Sequence, residues 1–117
     1  MTHANARRGE IVAELDGTRM RLCLTLGALA ELESAFAAED LSALVARFAT
    51  AKLSARDMAR VVGAGLRGAG AAISDEEVMA LETPGGAAGY ARIVAGLLTA
   101  TFGAADAGGT GSPENPR

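Results

Sequence analysis

Two runs of alternating apolar and polar residues, Gly9–Leu15 and Thr18–Leu24, meet at Asp16-Gly17, and no other stretch restricts the fold as tightly. A two-residue type I′ turn needs positive φ at both central positions, which Asp and Gly tolerate, so the pair predicts a hairpin with Leu15 opposite Thr18. In that register Glu14 faces Arg19, Ala13 faces Met20 and Ile11 faces Leu22. One face then collects Ile11, Ala13, Leu15, Met20, Leu22 and Leu24. The other pairs Glu14 with Arg19 and carries Glu10, Arg21 and Cys23. A slip of one residue would scramble both faces. A lone hairpin is marginal in water, so its apolar face must pack on something else.

Beyond the hairpin the chain is helical in pattern. Thr25 is placed to cap a helix from Leu26 to about Ala37, with a stripe that includes Leu26, Leu29, Ala30 and Phe36. Asp40 is placed to cap a short helix bearing Leu41, Leu44, Val45 and Phe48 at i, i+3, i+4 and i+7. Ser54 and Asp57 have capping-box spacing and open a helix with Met58, Val61, Val62 and Leu66 inward, ended by Gly68-Ala69-Gly70. Ser74 and Glu77 form a second box, with three acids at the positive end of a helix that carries Val78 and Leu81. Thr83-Pro84 reads as N-cap and first residue of the last helix, whose stripe runs through Tyr90, Ile93, Val94, Leu97, Leu98 and Phe102. Gly85, Gly86 and Gly89 weaken its first turns by up to ~1 kcal/mol each relative to Ala, so fraying is expected there. The expected fold is α+β and predominantly helical: a two-stranded N-terminal β-hairpin (9–24) packed on about five short amphipathic helices (26–102). Residues 1–8 read as a flexible leader and 103–117, without apolar periodicity, as a disordered tail.

Composition bounds the function. Of 117 residues half are hydrophobic, but 27 are alanine, and there are three Phe, one Tyr and no Trp. That suits thin, closely packed helices and one domain with one core. It argues against stacking on nucleic acid, as does a net charge of −3. The charge is uneven: residues 41–73 hold Arg47, Lys52, Arg56, Arg60 and Arg67 against Asp57 alone, between two acidic blocks. The single Cys23 forms no internal disulfide, which fits a reducing compartment. Met1–Arg8 is polar and basic with no apolar run behind it, so no secretory leader is expected. The longest uncharged stretch, Ile93–Ala105, is 13 residues, against the ~20 of a membrane-spanning helix. A cytoplasmic protein is expected.

Chemistry-bearing patterns are few. Gly63-Ala-Gly65-Leu-Arg-Gly68 matches G-x-G-x-x-G, with Glu82 where a ribose-binding acid would stand, but a capped helix leads into it where the fingerprint needs a strand. The glycines read better as sites of close helix packing. His3 is the one histidine and lies in the leader, so no triad or His-based metal site is expected. Glu31 and Glu33 are two apart on a helix and do not share a face. No catalytic residue, metal ligand or cofactor is expected. Arg56, Arg60 and Arg67 lie on one stripe at i, i+4 and i+11 and are the candidate partner-binding residues, a docking face for an acidic surface. The plainer alternative is a solvated helix back.

The opening Gly9-Glu10, the Asp16-Gly17 turn and the block Leu22-Cys-Leu-Thr-Leu-Gly-Ala-Leu-Ala-Glu-Leu-Glu33 together resemble the gene transfer agent family of small phage-tail proteins. The likeness continues through Glu39–Phe48, Leu53–Asp57, Gly65–Gly68 and Ile73–Glu77, and so covers roughly Gly9 to Phe102. The resemblance implies a protein encoded beside the major tail protein of a prophage-like particle. The family is similar to tailed-phage tail assembly chaperones and has also been labelled tail tube protein. It therefore implies either a helper that binds tail tube or tape-measure protein before polymerisation, or a minor structural component of the tail. It carries no catalytic residues. The chain offers only two clear strands for a tube wall, which favours the chaperone. Its expected partners are phage-like tail proteins, and its place the cytoplasm of the producing bacterium or the particle itself. The expected grip is an apolar groove, sought along Leu26–Phe36 and Tyr90–Phe102, or the hairpin's open edge. Two other classes stand as rivals: a small enzyme or nucleotide-binding module using the glycine-rich stretch, and a DNA-binding regulator using the basic middle segment as a helix-turn-helix.

Overall fold

The computed structural model describes residues 9–50 and 53–103. The expected leader, His3, Lys52 and the expected tail beyond Gly103 lie outside the described residues. Seven elements succeed one another along the chain: β1 (Glu10–Leu15), β2 (Thr18–Cys23), α1 (Leu26–Ala35), α2 (Leu41–Thr50), α3 (Ala55–Gly68), α4 (Asp75–Met79) and α5 (Gly86–Phe102). This is the α+β, predominantly helical fold that the patterns predict.

The hairpin has the expected register at every pair, from Glu10 opposite Cys23 to Leu15 opposite Thr18. Asp16 and Gly17 both take positive φ, 56° and 79°, as a type I′ turn requires. Leu15 and Leu22 are fully buried and Leu24 nearly so, with Ile11, Ala13 and Met20 packed against the core. That face rests on α3 and α5. Gly9 lies against Ala100 and Thr101, and Ile11 reaches Gly96. At the other end the Thr83 hydroxyl donates to the Glu14 carbonyl, so α5 runs antiparallel to β1.

Helix starts are set by the caps. Thr25 Oγ1 accepts from Ala28 N–H at 3.1 Å and Asp40 Oδ1 from Ala43 N–H at 2.9 Å. Ser54–Asp57 and Ser74–Glu77 close both bonds of their capping boxes. Helix ends use the Schellman pattern twice. After α3, Ala71 N–H bonds Leu66 C=O and Gly70 N–H bonds Arg67 C=O, with Gly70 at φ 105°. After α1, Ala38 N–H bonds Glu33 C=O and Ala37 N–H bonds Ser34 C=O, with Ala37 held at φ 55°, where Gly would be the easier residue.

Two local expectations are corrected. The inward face of α1 is Ala28, Leu29 and Leu32 with Phe36 just beyond; Leu26 is 79% exposed and Ala30 is exposed. Leu26 is the first helical residue, and α3 covers the helix one residue round from the stripe drawn through it. Secondly, Thr83 is not a helix cap. The last helix begins at Gly86 after Gly85 (φ 88°, ψ −2°), with no side-chain cap bond. Gly86 N–H bonds Thr83 C=O at 3.0 Å, so Thr83-Pro84-Gly85-Gly86 is a type II turn with Pro at i+1 and Gly at i+2. The Thr83 hydroxyl is engaged by the hairpin instead.

Helix α3 is the centre of the molecule, and Val61, Val62, Ala64 and Leu66 are fully buried. Its glycines are where neighbours come closest. A Cβ on Gly65 would stand 2.7 Å from Leu97 Cδ2 and 3.2 Å from Leu22 Cβ; one on Gly68 would strike the Cys23 carbonyl oxygen, and one on Gly63 the Asp75 carboxylate. The G-x-G-x-x-G spacing is thus a packing surface, in keeping with its helical context.

Candidate functional site

An apolar cleft of about 410 Å³ opens where the first turns of α3 and α5 face α4. Each wall has a local cause. The Ser54 box fixes the start of α3, which presents Ala55, Met58 and Ala59. The Ser74 box starts α4, a helix of one turn, so Val78 is buried while Met79, beside it, stands 46% exposed. The type II turn delivers Gly86 and Ala87, which are too small to fill the gap. Tyr90 closes the floor, its hydroxyl donating to Leu81 C=O at 2.8 Å and lying 3.3 Å from Val78 C=O.

Around this cleft the Thr83 hydroxyl and the Glu82 main chain are engaged by the hairpin. The Thr83 hydroxyl bonds Glu14 C=O at 2.7 Å, Glu82 N–H bonds Asp16 Oδ1 at 3.1 Å, and Glu82 C=O accepts from Asp16 N–H at 2.6 Å. Burial raises the Tyr90 pKa above its ordinary value, and the Asp16 carboxylate adds to the rise, so the phenol stays protonated at neutral pH. Size alone would suit a small molecule, since ligand pockets run from about 300 to 1,000 Å³, but such pockets add a few converging polar groups. Two flexible thioethers flanked by alanine and glycine instead suit an apolar side chain from another polypeptide.

The candidate arginines separate. Arg67 is drawn into the fold: its guanidinium meets Glu31 of α1 at 2.7 Å and Asp75 of α4 at 3.0 Å, and donates to Ile73 C=O at 2.9 Å. The Glu31 bond first, then Asp75, raise its pKa against the opposing effect of burial. Arg60 lies 3.6 Å from Asp57 and 5.8 Å from the centre of the Phe36 ring, which Arg47 approaches to 5.2 Å. Arg56 is exposed. The three share α3 but differ in their surroundings, Arg67 held by two other helices, Arg60 beside Asp57 and Phe36, and Arg56 exposed.

Of the two segments where the sequence places a groove, Tyr90–Phe102 contributes Tyr90 alone to this cleft, and Leu26–Phe36 contributes none of its lining. Periodicity marks Met58, Val78, Leu81 and Tyr90 as inward residues, but that they leave a gap between them depends on how α4 and α5 are set. Among the described residues no helix is long and apolar enough to cross a membrane.

Neither a curated protein nor a solved structure matches the chain. The model of the family described as phage tail tube protein, GTA-gp10, matches residues 8–104, and so takes in every element from β1 to α5. With that coverage, the chain belongs to the GTA-gp10 phage tail tube protein family, a phage-tail family of gene transfer agents.

Proposed function

We propose that this protein is a non-enzymatic tail assembly chaperone, acting in the cytoplasm of the producing bacterium on the tail tube or tape-measure protein. The observation that carries the reading is the methionine-walled cleft, with Met79 held half out of the surface beside an apolar floor. An amphipathic helix or apolar loop of an unassembled tail protein would seat its side chains there, with Met58 and Met79 adjusting to their shape. The cleft would form the centre of a contact that, at ordinary size, buries about 800 Å² on each partner.

The test is co-expression with the neighbouring tail genes, then pull-down and measurement of soluble tail protein. Wild type should raise the soluble fraction, and Met79→Glu should abolish the effect with unchanged thermal stability, because Met79 is half-exposed. Retention of full activity by Met79→Glu would remove the cleft from the account. The family's own description favours a second reading, a structural component of the tail. Mass spectrometry of purified particles separates the two, since a component is present in stoichiometric amount and a chaperone is absent. The two-stranded sheet of the described residues offers little strand edge for building a ring, which supports the chaperone.

A further inference from the structure

We propose that Arg47, Arg60 and Arg56 form a docking patch for an acidic segment of a partner protein, whose glutamate or aspartate side chains meet the guanidiniums across the junction of α2 and α3. The patch is built around one ring. Phe36, at the end of α1, is nearly buried, with Arg47 of α2 at 5.2 Å and Arg60 of α3 at 5.8 Å from its centre. Phe48 meets the same ring edge-on at 5.4 Å. Arg56 stands four residues before Arg60, hence on the same flank of α3, and is exposed. A helical wheel of α3 shows Arg56 and Arg60 together; the packing of α2 on α1 adds Arg47.

Attraction of a guanidinium to a ring face consumes none of its N–H donors. Among the described residues the guanidiniums of Arg47 and Arg56 make no ion pair or hydrogen bond. The acids around them leave the cations in surplus. Asp57 Oδ1 lies 3.6 Å from Arg60, a long single contact, while its Oδ2 accepts Ser54 N–H. Asp40 caps α2 at the end far from Arg47. Glu31 is taken by Arg67, and Glu33, one turn before Phe36, pairs with none of the three arginines. Two cations drawn to one ring also repel each other, and a carboxylate set between them relieves that repulsion.

The surroundings select a polypeptide. The exposed surface of α2 beside Arg47 is Leu41, Ser42, Ala43, Val45, Ala46 and Ala49, without a charge, and Leu41 and Val45 stand 39% and 38% exposed. That surface suits the apolar side chains of an acidic amphipathic segment. A nucleic acid carries about one charge per 1.7 Å of duplex and would meet Asp57 and Asp40 as well as the arginines, with Phe36 buried and not open to a base. A second copy offers little: of its acidic run, Asp75 is held by Arg67 and Glu77 closes the Ser74 cap. The patch is also separate from the cleft, which none of the three arginines lines, so this inference does not depend on whether the protein is a chaperone or a tail component.

The probe is a fluorescein-labelled dodecapeptide of glutamate, alanine and leucine, titrated by anisotropy into the full chain. Arg47→Gln and Arg60→Gln should each weaken binding at least about threefold, and the two together at least about tenfold. Arg47→Lys keeps the charge but not the planar fork, and should bind between wild type and Arg47→Gln. Arg92→Gln removes an equal charge from α5 and should bind within about twofold of wild type. A second arm leaves the protein untouched: glutamine in place of every glutamate of the peptide should abolish binding. Met79→Glu should bind the peptide as wild type does, which separates the patch from the cleft. The proposal is overturned if the peptide fails to bind at millimolar concentration, if the glutamine peptide binds as tightly, or if Arg47→Gln and Arg60→Gln have no more effect than Arg92→Gln. It is likewise overturned if duplex DNA of equal net charge binds more tightly than the peptide, or if Met79→Glu abolishes peptide binding, since the peptide would then lie in the cleft.

Discussion

Replacing glycine by alanine at two interior helix positions, Gly65 of α3 and Gly96 of α5, should move stability in opposite directions. Both substitutions gain helix propensity, up to about 1 kcal/mol. At Gly96 the new methyl meets only Ile11 Cδ1 at 3.9 Å, an ordinary contact, so the propensity gain survives. At Gly65 it would stand 2.7 Å from Leu97 Cδ2 and 3.2 Å from Leu22 Cβ, against the roughly 3.5–4.0 Å that carbon atoms prefer. Leu97 and Leu22 are both fully buried, and Leu22 Cβ is tied directly to the backbone of β2. Overpacking of this kind costs about 1–3 kcal/mol, so Gly65→Ala should lose about 0–2 kcal/mol net. Gly68→Ala should lose more, because its methyl strikes the Cys23 carbonyl and the hairpin itself must lift from α3. Urea titration monitored by circular dichroism reads all three, at constant slope. In a domain of this size each kcal/mol moves the melting temperature by roughly 4–8 °C. Equal shifts of one sign for Gly65→Ala and Gly96→Ala would refute the assignment of Gly65 as a packing contact and Gly96 as open.

Ala37→Gly should stabilise the protein by up to about 1 kcal/mol, since Ala37 holds φ 55° at the end of α1; chemical denaturation checks it. Arg67→Ala should cost about 1–2 kcal/mol through loss of two partly exposed ion pairs and the bond to Ile73 C=O. Arg67→Lys should restore only part of this, because one ammonium cannot span Glu31 and Asp75 as the guanidinium does, and thermal melts of the three proteins give the order. For Tyr90 the folded pKa is raised, so the folded state holds its proton where the unfolded state has begun to lose it. The stabilisation is therefore complete below the unfolded value of about 10 and falls as pH rises through the folded value. Tyr90 is the one tyrosine, so tyrosinate absorbance tracks it directly, and Tyr90→Phe should remove the alkaline loss.

Local rules carried much of the fold. The Asp16-Gly17 turn set the hairpin register by itself, because one side-chain period and one turn type leave no second solution. The caps at Thr25, Asp40, Ser54 and Ser74 marked four helix starts, because each depends on atoms three residues apart. The same reasoning failed at Thr83-Pro84, where a cap and a type II turn share sequence signals; a hydrogen bond from Thr83 to Glu14, 69 residues away, decided between them. The Arg56, Arg60 and Arg67 stripe was visible as a pattern, yet Arg67 is held by Glu31 and Asp75 from two other helices, which no helical wheel of α3 reveals. The cleft was not legible at all. It is space left between elements, and space depends on how α4 and α5 are set against α3, on long-range contacts that periodicity cannot encode.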